Sequence, residues 1–232
     1  MNDTNKTARV AGGIYLLMAF TAPFSQLYLP RKFIVPHDAA ATSANFLAHE
    51  TLFRAGIVAD MTTHLIFIAV VLALYRLLAR VDNFWATAMV ALVLVSVAVG
   101  FANILTNVGA LIFFHGGEFL TVFSKAQLDA LGMFFLRLNG KGMNLDELFW
   151  GVWLFPFGLL VMRSGFLPRF IGLWLILNGV AYVVLSFTSM FNPALANLLF
   201  GYSMPLLFGE LAIAFWLLIK GTSPRLTNPA VV

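Results

Sequence analysis

Cysteine is missing from all 232 residues, which excludes disulfides, thiolate metal sites and cysteine nucleophiles. Charge is scarce as well. Asp, Glu, Lys and Arg make up 10% of the chain, against about 25% in a soluble domain. So few charges cannot cover a water-facing surface, and a soluble globular protein is excluded. Intrinsic disorder is excluded by the complementary figure, because 61% of the residues are hydrophobic and apolar content this high drives burial. Basic runs are also lacking. Net charge is +4, but the 14 Lys and Arg are scattered and offer no patch to nucleic acid. No Walker loop, GxSxG elbow or HExxH helix occurs. There is no low-complexity segment and no strong internal repeat, so a transporter built from two matching halves gets no support. No residue pattern implies a cofactor.

What is present is a series of long apolar runs with 24 Phe among them. A bilayer-crossing helix needs about 20 mostly apolar residues. Six stretches qualify, at about 8–29, 52–79, 84–114, 146–163, 167–190 and 196–220. The chain therefore reads as one all-α integral membrane domain, residues 1–232, a bundle of six transmembrane helices whose principal partners are lipids. The first stretch follows Lys6 and Arg9, as a secretory signal would, but it is too long for a signal core. Pro30-Arg31-Lys32 also stands where a small-residue cleavage site belongs, so a retained helix is expected.

Lys and Arg in short loops set orientation. Lys6, Arg9, Arg76, Arg80, Arg163, Arg169, Lys220 and Arg225 fall on one side of such a bundle. Arg31, Lys32, Lys125, Arg137 and Lys141 fall on the other. The bias predicts a multi-pass protein of the cell inner (plasma) membrane with both termini in the cytoplasm. Outside the spans, Asp38 is placed to cap a helix that runs straight into the second span. Ser124-Lys125-Ala126-Gln127 has capping-box spacing. Leu128, Leu131, Phe134, Phe135 and Leu138 then repeat at helical intervals opposite Lys125, Asp129 and Arg137. Residues 118–139 thus read either as an amphipathic helix on the outer interface, between spans three and four, or as a structured loop packed on the bundle.

Ionisable and amide groups inside a bilayer cost roughly 2.5–3.5 kcal/mol for a central Asp or Arg, so those present need a reason. Glu50, Arg54, Asp60 and His64 fall within an arc of about 120° on the second span. Ser96, Gly100, Asn103 and Asn107 form a similar stripe on the third. A short turn near Asp82-Asn83 makes these spans antiparallel neighbours, so the stripes can face each other. One reading is an outward-facing cleft of Arg54, Asp60, His64, Asn103 and Asn107 for a small amphiphile, headgroup or ion. The other is hydrogen-bonded helix association, worth about 0.6 kcal/mol per bond. Asp60 and His64 supply two metal ligands, and His115 or Glu118 a third, where a catalytic zinc wants three plus water. Two axial haem histidines are not available, since only His64 lies at membrane depth.

Asn178, nine residues past Arg169, and Glu210, ten before Lys220, both fall near the midplane at about 1.5 Å per residue. Glu210 follows Pro205 and Gly209, and a carboxylate beside a broken helix is an arrangement found at transport sites. Alternatively, a protonated Glu210 bonds Asn178 or Tyr182 and holds spans five and six together. Gly12-Gly13, Gly172, Gly179 and Gly209 read as points of close helix approach. Arg163 to Arg169 reads as a tight turn in which Pro168 starts the fifth span.

The opening Ala8-Arg9-Val10-Ala11-Gly12-Gly13-Ile14-Tyr15-Leu16 resembles the start of a bacterial membrane family catalogued as domain of unknown function 4386. Leu74-Tyr75-Arg76-Leu77-Leu78 and Arg163-Ser164-Gly165-Phe166-Leu167-Pro168-Arg169 resemble it too, as do Gly209-Glu210 and Trp216-Leu217-Leu218-Ile219-Lys220-Gly221. The resemblance spans nearly the whole chain and implies a bacterial polytopic protein of about this length, with no catalytic motif, cofactor or substrate attached. Three functions stay open: a carrier or binding protein for a small amphiphile or ion, an enzyme acting on a lipid or isoprenoid through Asp60 and His64, and a scaffold in the membrane.

Overall fold

The computed structural model describes residues 3–222. Arg225, one of the basic residues used for orientation, lies outside them. The described residues are helical throughout, with short turns and no strand. In chain order they are α1 (Asp3–Pro23), a π-helical turn (Phe24–Tyr28), α2 (Leu29–Phe33), α3 (Ala39–Ala48), α4 (Glu50–Leu78), α5 (Asn83–His115) and a 3₁₀ turn (Glu118–Leu120). There follow α6 (Lys125–Val152), α7 (Leu154–Arg163), α8 (Arg169–Phe191), α9 (Pro193–Leu207) and α10 (Gly209–Ile219). Six continuous stretches are long and apolar enough to cross a membrane: Asp3–Phe33, Glu50–Leu78, Asn83–His115, Lys125–Arg163, Arg169–Phe191 and Pro193–Ile219. The protein is an all-α, multi-pass integral membrane protein.

Three of these stretches differ from the sequence expectation. The fourth does not begin at 146. The expected interfacial helix and the expected fourth span join, so that α6 runs from Lys125 through Gly140 and Gly142 without interruption. Contacts with α5 keep this glycine-containing segment helical. Asn103 Nδ2 donates to the Asn139 carbonyl at 3.0 Å, and Asn139 Nδ2 donates back to the Asn103 carbonyl at 3.1 Å. Any side chain at Gly142 would collide with the Asn103 amide. The capping box forms as expected, with Ser124 N donating to Gln127 Oε1 at 2.8 Å. The first stretch reaches Phe33 rather than 29 by way of the π turn. Pro30 has no N–H to give the Gln26 carbonyl, and a widened turn is a usual accommodation. Asp38 does cap α3, accepting from Ala41 N at 2.8 Å. The helix then breaks at His49, whose φ of −131° and ψ of 34° are not helical, so α3 and α4 are separate.

Prolines mark the other interruptions. Pro156 cannot bond the Val152 carbonyl, and α6 gives way to α7 at Trp153. Pro205 precedes the break at Phe208 between α9 and α10. The Pro205 carbonyl, freed there from its usual partner four residues on, instead accepts from Trp174 Nε1 at 3.2 Å.

The described residues divide into two compact units: residues 3–19, 66–97 and 144–222 form the first, and residues 20–65 and 98–143 the second. Glycine contacts define the first unit. A Cβ on Gly12 of α1 would lie 2.5 Å from the Leu218 backbone nitrogen of α10. Gly151 and Gly158 similarly meet the carbonyl oxygens of Gly179 and Gly172 on α8, at 2.7 and 2.6 Å from a built Cβ. Three of the glycines expected at close approaches, Gly12, Gly172 and Gly179, are used in this way. The turn between α7 and α8 is tight: Ser164 Oγ accepts from Leu167 N at 3.1 Å, Gly165 takes a φ of +71°, and Pro168 caps α8. In the second unit, Phe33, Phe46, Phe53 and Phe114 form an aromatic core with Leu29 and Leu136.

Candidate functional site

The first unit holds a polar centre on three of its helices, in which Tyr15 and Asn178 are buried and Tyr182 and Glu210 half-buried. Glu210 stands in the first turn of α10, two residues after the Phe208 break. Its Oε2 accepts from the Tyr15 hydroxyl of α1, and its Oε1 from Asn178 Nδ2 of α8 at 3.3 Å. Tyr182, one turn beyond Asn178, interacts with the same carboxyl through its hydroxyl. Asn178 is 0% exposed, and its Oδ1 has no hydrogen-bond partner among the described residues. Turning the amide over would exchange nitrogen for oxygen and leave the other atom unpartnered, so the deficit belongs to the site. The expected midplane pair is thus brought together, with Tyr182 beside it. Tyr15 had no signal in the sequence, because depth along a helix says nothing of a partner nearly the whole chain away.

A second acidic group lies further along the same unit. Asp146 is buried; its Oδ1 accepts from Ser96 Oγ at 2.8 Å and its Oδ2 from Trp150 Nε1 at 3.1 Å. Glu147, its neighbour, borders a cavity of about 110 Å³ that Asn144, Ser189 and Asn197 also line. Tyr182 lies within electrostatic reach of both Glu147 and Glu210, and its ring packs edge-on against Trp150 at 6.0 Å. Asp146 and Glu147 open the stretch 146–163 expected for the fourth span. They are mid-helix because α6 begins more than 20 residues earlier.

In the second unit the residues of the expected cleft have separate partners. Arg54 Nε donates to Glu50 Oε1 at 2.5 Å, and His115 Nε2 lies 3.2 Å from the same oxygen. Asp60 Oδ1 accepts from Ser25 Oγ at 3.4 Å and Gln26 Nε2 at 3.3 Å, both presented by the π turn. His64 Nδ1 donates to the Asp60 carbonyl at 2.8 Å and lies 3.9 Å from Asp60 Oδ1. Its Nε2 fills the space over Gly100 of α5, where a Cβ would come within 1.8 Å. The two stripes therefore meet at His64 and Gly100, while Asn103 turns to Asn139 of α6 and Asn107 is half-buried one turn beyond. The speculative metal set of Asp60, His64, His115 and Glu118 does not assemble. No three His, Asp or Glu among the described residues gather to hold an ion, because His115 is engaged with Glu50 and Glu118 is exposed in the 3₁₀ turn.

A family model described as "Domain of unknown function (DUF4386)" matches residues 10–221. The chain belongs to this family. The matched span of this DUF4386 member takes in Tyr15, Glu147, Asn178, Tyr182 and Glu210. A relative from Archaeoglobus fulgidus, described as "Uncharacterized protein", is 32% identical over 83 residues, 34% of this chain. The chain spans about half of that relative's length, 46%. No solved structure matches.

Proposed function

We propose that this DUF4386 member is a membrane carrier or binding protein for a small monovalent cation, held at Glu210. The observation that carries the reading is the half-buried Glu210 carboxyl with the buried, unpartnered Asn178 Oδ1 beside it. Tyr15 and Asn178 can each donate to a Glu210 carboxylate, with the Tyr182 hydroxyl alongside. An anion withdrawn from water needs a compensating positive charge. No Lys, Arg or His pairs with Glu210 among the described residues. A cation here would meet carboxylate and amide oxygens, the donor set that hard cations prefer. The interruption at Phe208 supports the same reading, since coupling-ion sites near the bilayer midplane are commonly built on discontinuous helices. A cleft of Arg54, Asp60, His64, Asn103 and Asn107 is a weaker basis for a ligand, because four of the five side chains are engaged within their own unit. We also infer an inner-membrane location with both termini cytoplasmic, from Lys6, Arg9, Arg76, Arg80, Arg163, Arg169 and Lys220.

Thermal unfolding of purified protein, with Na⁺ or K⁺ exchanged for choline at constant ionic strength and pH varied separately, tests the cation. A ligand at about 100 times its Kd stabilises by about 2.7 kcal/mol. Glu210→Gln should fold and lose that stabilisation. A wild-type melting temperature indifferent to Na⁺, K⁺ and pH would refute the reading.

A further inference from the structure

The polar groups of the first unit are ordered by depth. Counting about 1.5 Å per residue from the Arg163–Arg169 turn, Asn178 lies at about 14 Å along α8 and Tyr182 at about 20 Å. Glu147 lies at about 24 Å along the α7–α6 stretch, and Ser189 at about 30 Å along α8. The cavity of about 110 Å³ bordered by Asn144, Glu147, Ser189 and Asn197 sits at the shallow end of this file, beside the Asn192 turn. It has room for about three waters at roughly 30 Å³ each. Its walls offer carboxylate, amide and hydroxyl oxygens, and Asn197 at its rim is exposed. Glu147 forms no ion pair among the described residues. Its neighbour Asp146 is held by Ser96 and Trp150, and the Trp150 ring packs edge-on against Tyr182, whose hydroxyl interacts with Glu210. The file ends at the unpartnered Asn178 Oδ1.

We propose that this cavity is the mouth through which a monovalent cation reaches Glu210, with Glu147 as the attracting group and Tyr182 as the step between them. The proposal rests on the cation reading of Glu210. At the mouth a cation exchanges part of its water for Glu147 and the neighbouring amide oxygens. It then passes the Tyr182 hydroxyl to the carboxylate and amide of the inner site. A negative group in a low-dielectric cleft concentrates cations and raises their rate of entry by about tenfold or more. Glu147 is therefore a positioning residue for entry, separate from the group that holds the ion.

The test uses the full chain reconstituted in liposomes, with radiolabelled Na⁺ as the probe. Two quantities are read: the initial rate of Na⁺ uptake, and the Na⁺ concentration giving half of the thermal stabilisation. Glu147→Gln should slow uptake about tenfold and leave the half-stabilising concentration unchanged, whereas Glu210→Gln should abolish both. Wild-type uptake with an unaffected Glu147→Gln rate would overturn the path and leave the Glu210 reading standing. So would a Glu147→Gln shift in half-stabilising concentration as large as its rate effect. Absence of any Na⁺ effect on wild type would overturn the path for Na⁺, and absence of a K⁺ effect and a pH effect as well would overturn the Glu210 reading. If Glu147→Gln does not accumulate in the membrane, Asn197→Lys at the exposed rim replaces it. A cation there must slow uptake, and unchanged uptake overturns the path.

Discussion

Gly12 and Gly13 are adjacent on α1, yet alanine should act in opposite directions at the two positions. At Gly12 the added methyl would sit 2.5 Å from the Leu218 backbone nitrogen and 2.7 Å from the Ala214 carbonyl oxygen. Ordinary contact begins at 3.4 Å, so α1 must withdraw from α10 by about 0.9 Å, and neither obstacle is a side chain that can rotate away. Overpacking of this kind costs about 1–3 kcal/mol. The gain in helix propensity from Gly to Ala returns about 1 kcal/mol, leaving a net loss of about 2 kcal/mol at the upper end. At Gly13 the methyl meets only Leu218 Cδ1, at 3.8 Å, so the propensity gain stands alone. With about 2–4 °C per kcal/mol for a chain of this size, Gly12→Ala should lower the melting temperature in detergent, by about 4–8 °C at that upper end. Gly13→Ala should raise it by about 2–4 °C. Tyr15, on the next turn of α1, hydrogen-bonds Glu210 of α10, so withdrawal of α1 also loosens that bond. A double-mutant cycle of Gly12→Ala with Tyr15→Phe should show a coupling of about 0.5–3 kcal/mol. Shifts of the same sign for the two glycines, or strict additivity in the cycle, would refute the reasoning.

Two further expectations concern the turn and the topology. Gly165 has a φ of +71° with nothing within 4 Å of a built Cβ, so Gly165→Ala should cost about 1 kcal/mol through the backbone alone. Gly165→Asn should cost less, because Asn tolerates the left-handed region; equal losses in thermal melts would contradict this. In the natural cysteine-free background, Glu118→Cys should react with an impermeant maleimide on intact cells, and Asn5→Cys only after permeabilisation. The reverse pattern would invert the orientation.

The membrane helices were legible because length and hydropathy decide them almost alone, and their ends came within a few residues wherever a turn residue intervened. Legibility failed at residues 125–146. Asn139, Gly140 and Gly142 have the composition of a loop, and what holds them helical is a reciprocal amide contact with Asn103. That contact depends on how α5 is rotated, which hydropathy does not report. The same blindness moved Asp146 and Glu147 from mid-helix to a span end. Depth counting did find Asn178 and Glu210, because rise per residue is nearly invariant. It could not find Tyr15, since the register of α1 against α10 is set by the Gly12 contact. The stripe on α5 was expected to face the stripe on the second span, yet its members divide between neighbours: Gly100 receives His64, Asn103 turns to Asn139, and Ser96 holds Asp146.

The reciprocal glycine contacts along α8 bear on the order of assembly. Gly151 of α6 with Gly179, and Gly158 of α7 with Gly172, bring backbone directly against backbone across the short turn that joins the α6–α7 stretch to α8. Glycine has no rotamers to freeze, so this hairpin closes without the side-chain entropy loss that accompanies most packing. Its loop-closure cost is small because the connection is short. The α7–α8 pair is thus suited to associate as soon as both helices have entered the bilayer, before α9 and α10 have been synthesised. Glu210 then arrives on α10 against a preformed wall that already presents Asn178 and Tyr182, and completes the polar centre.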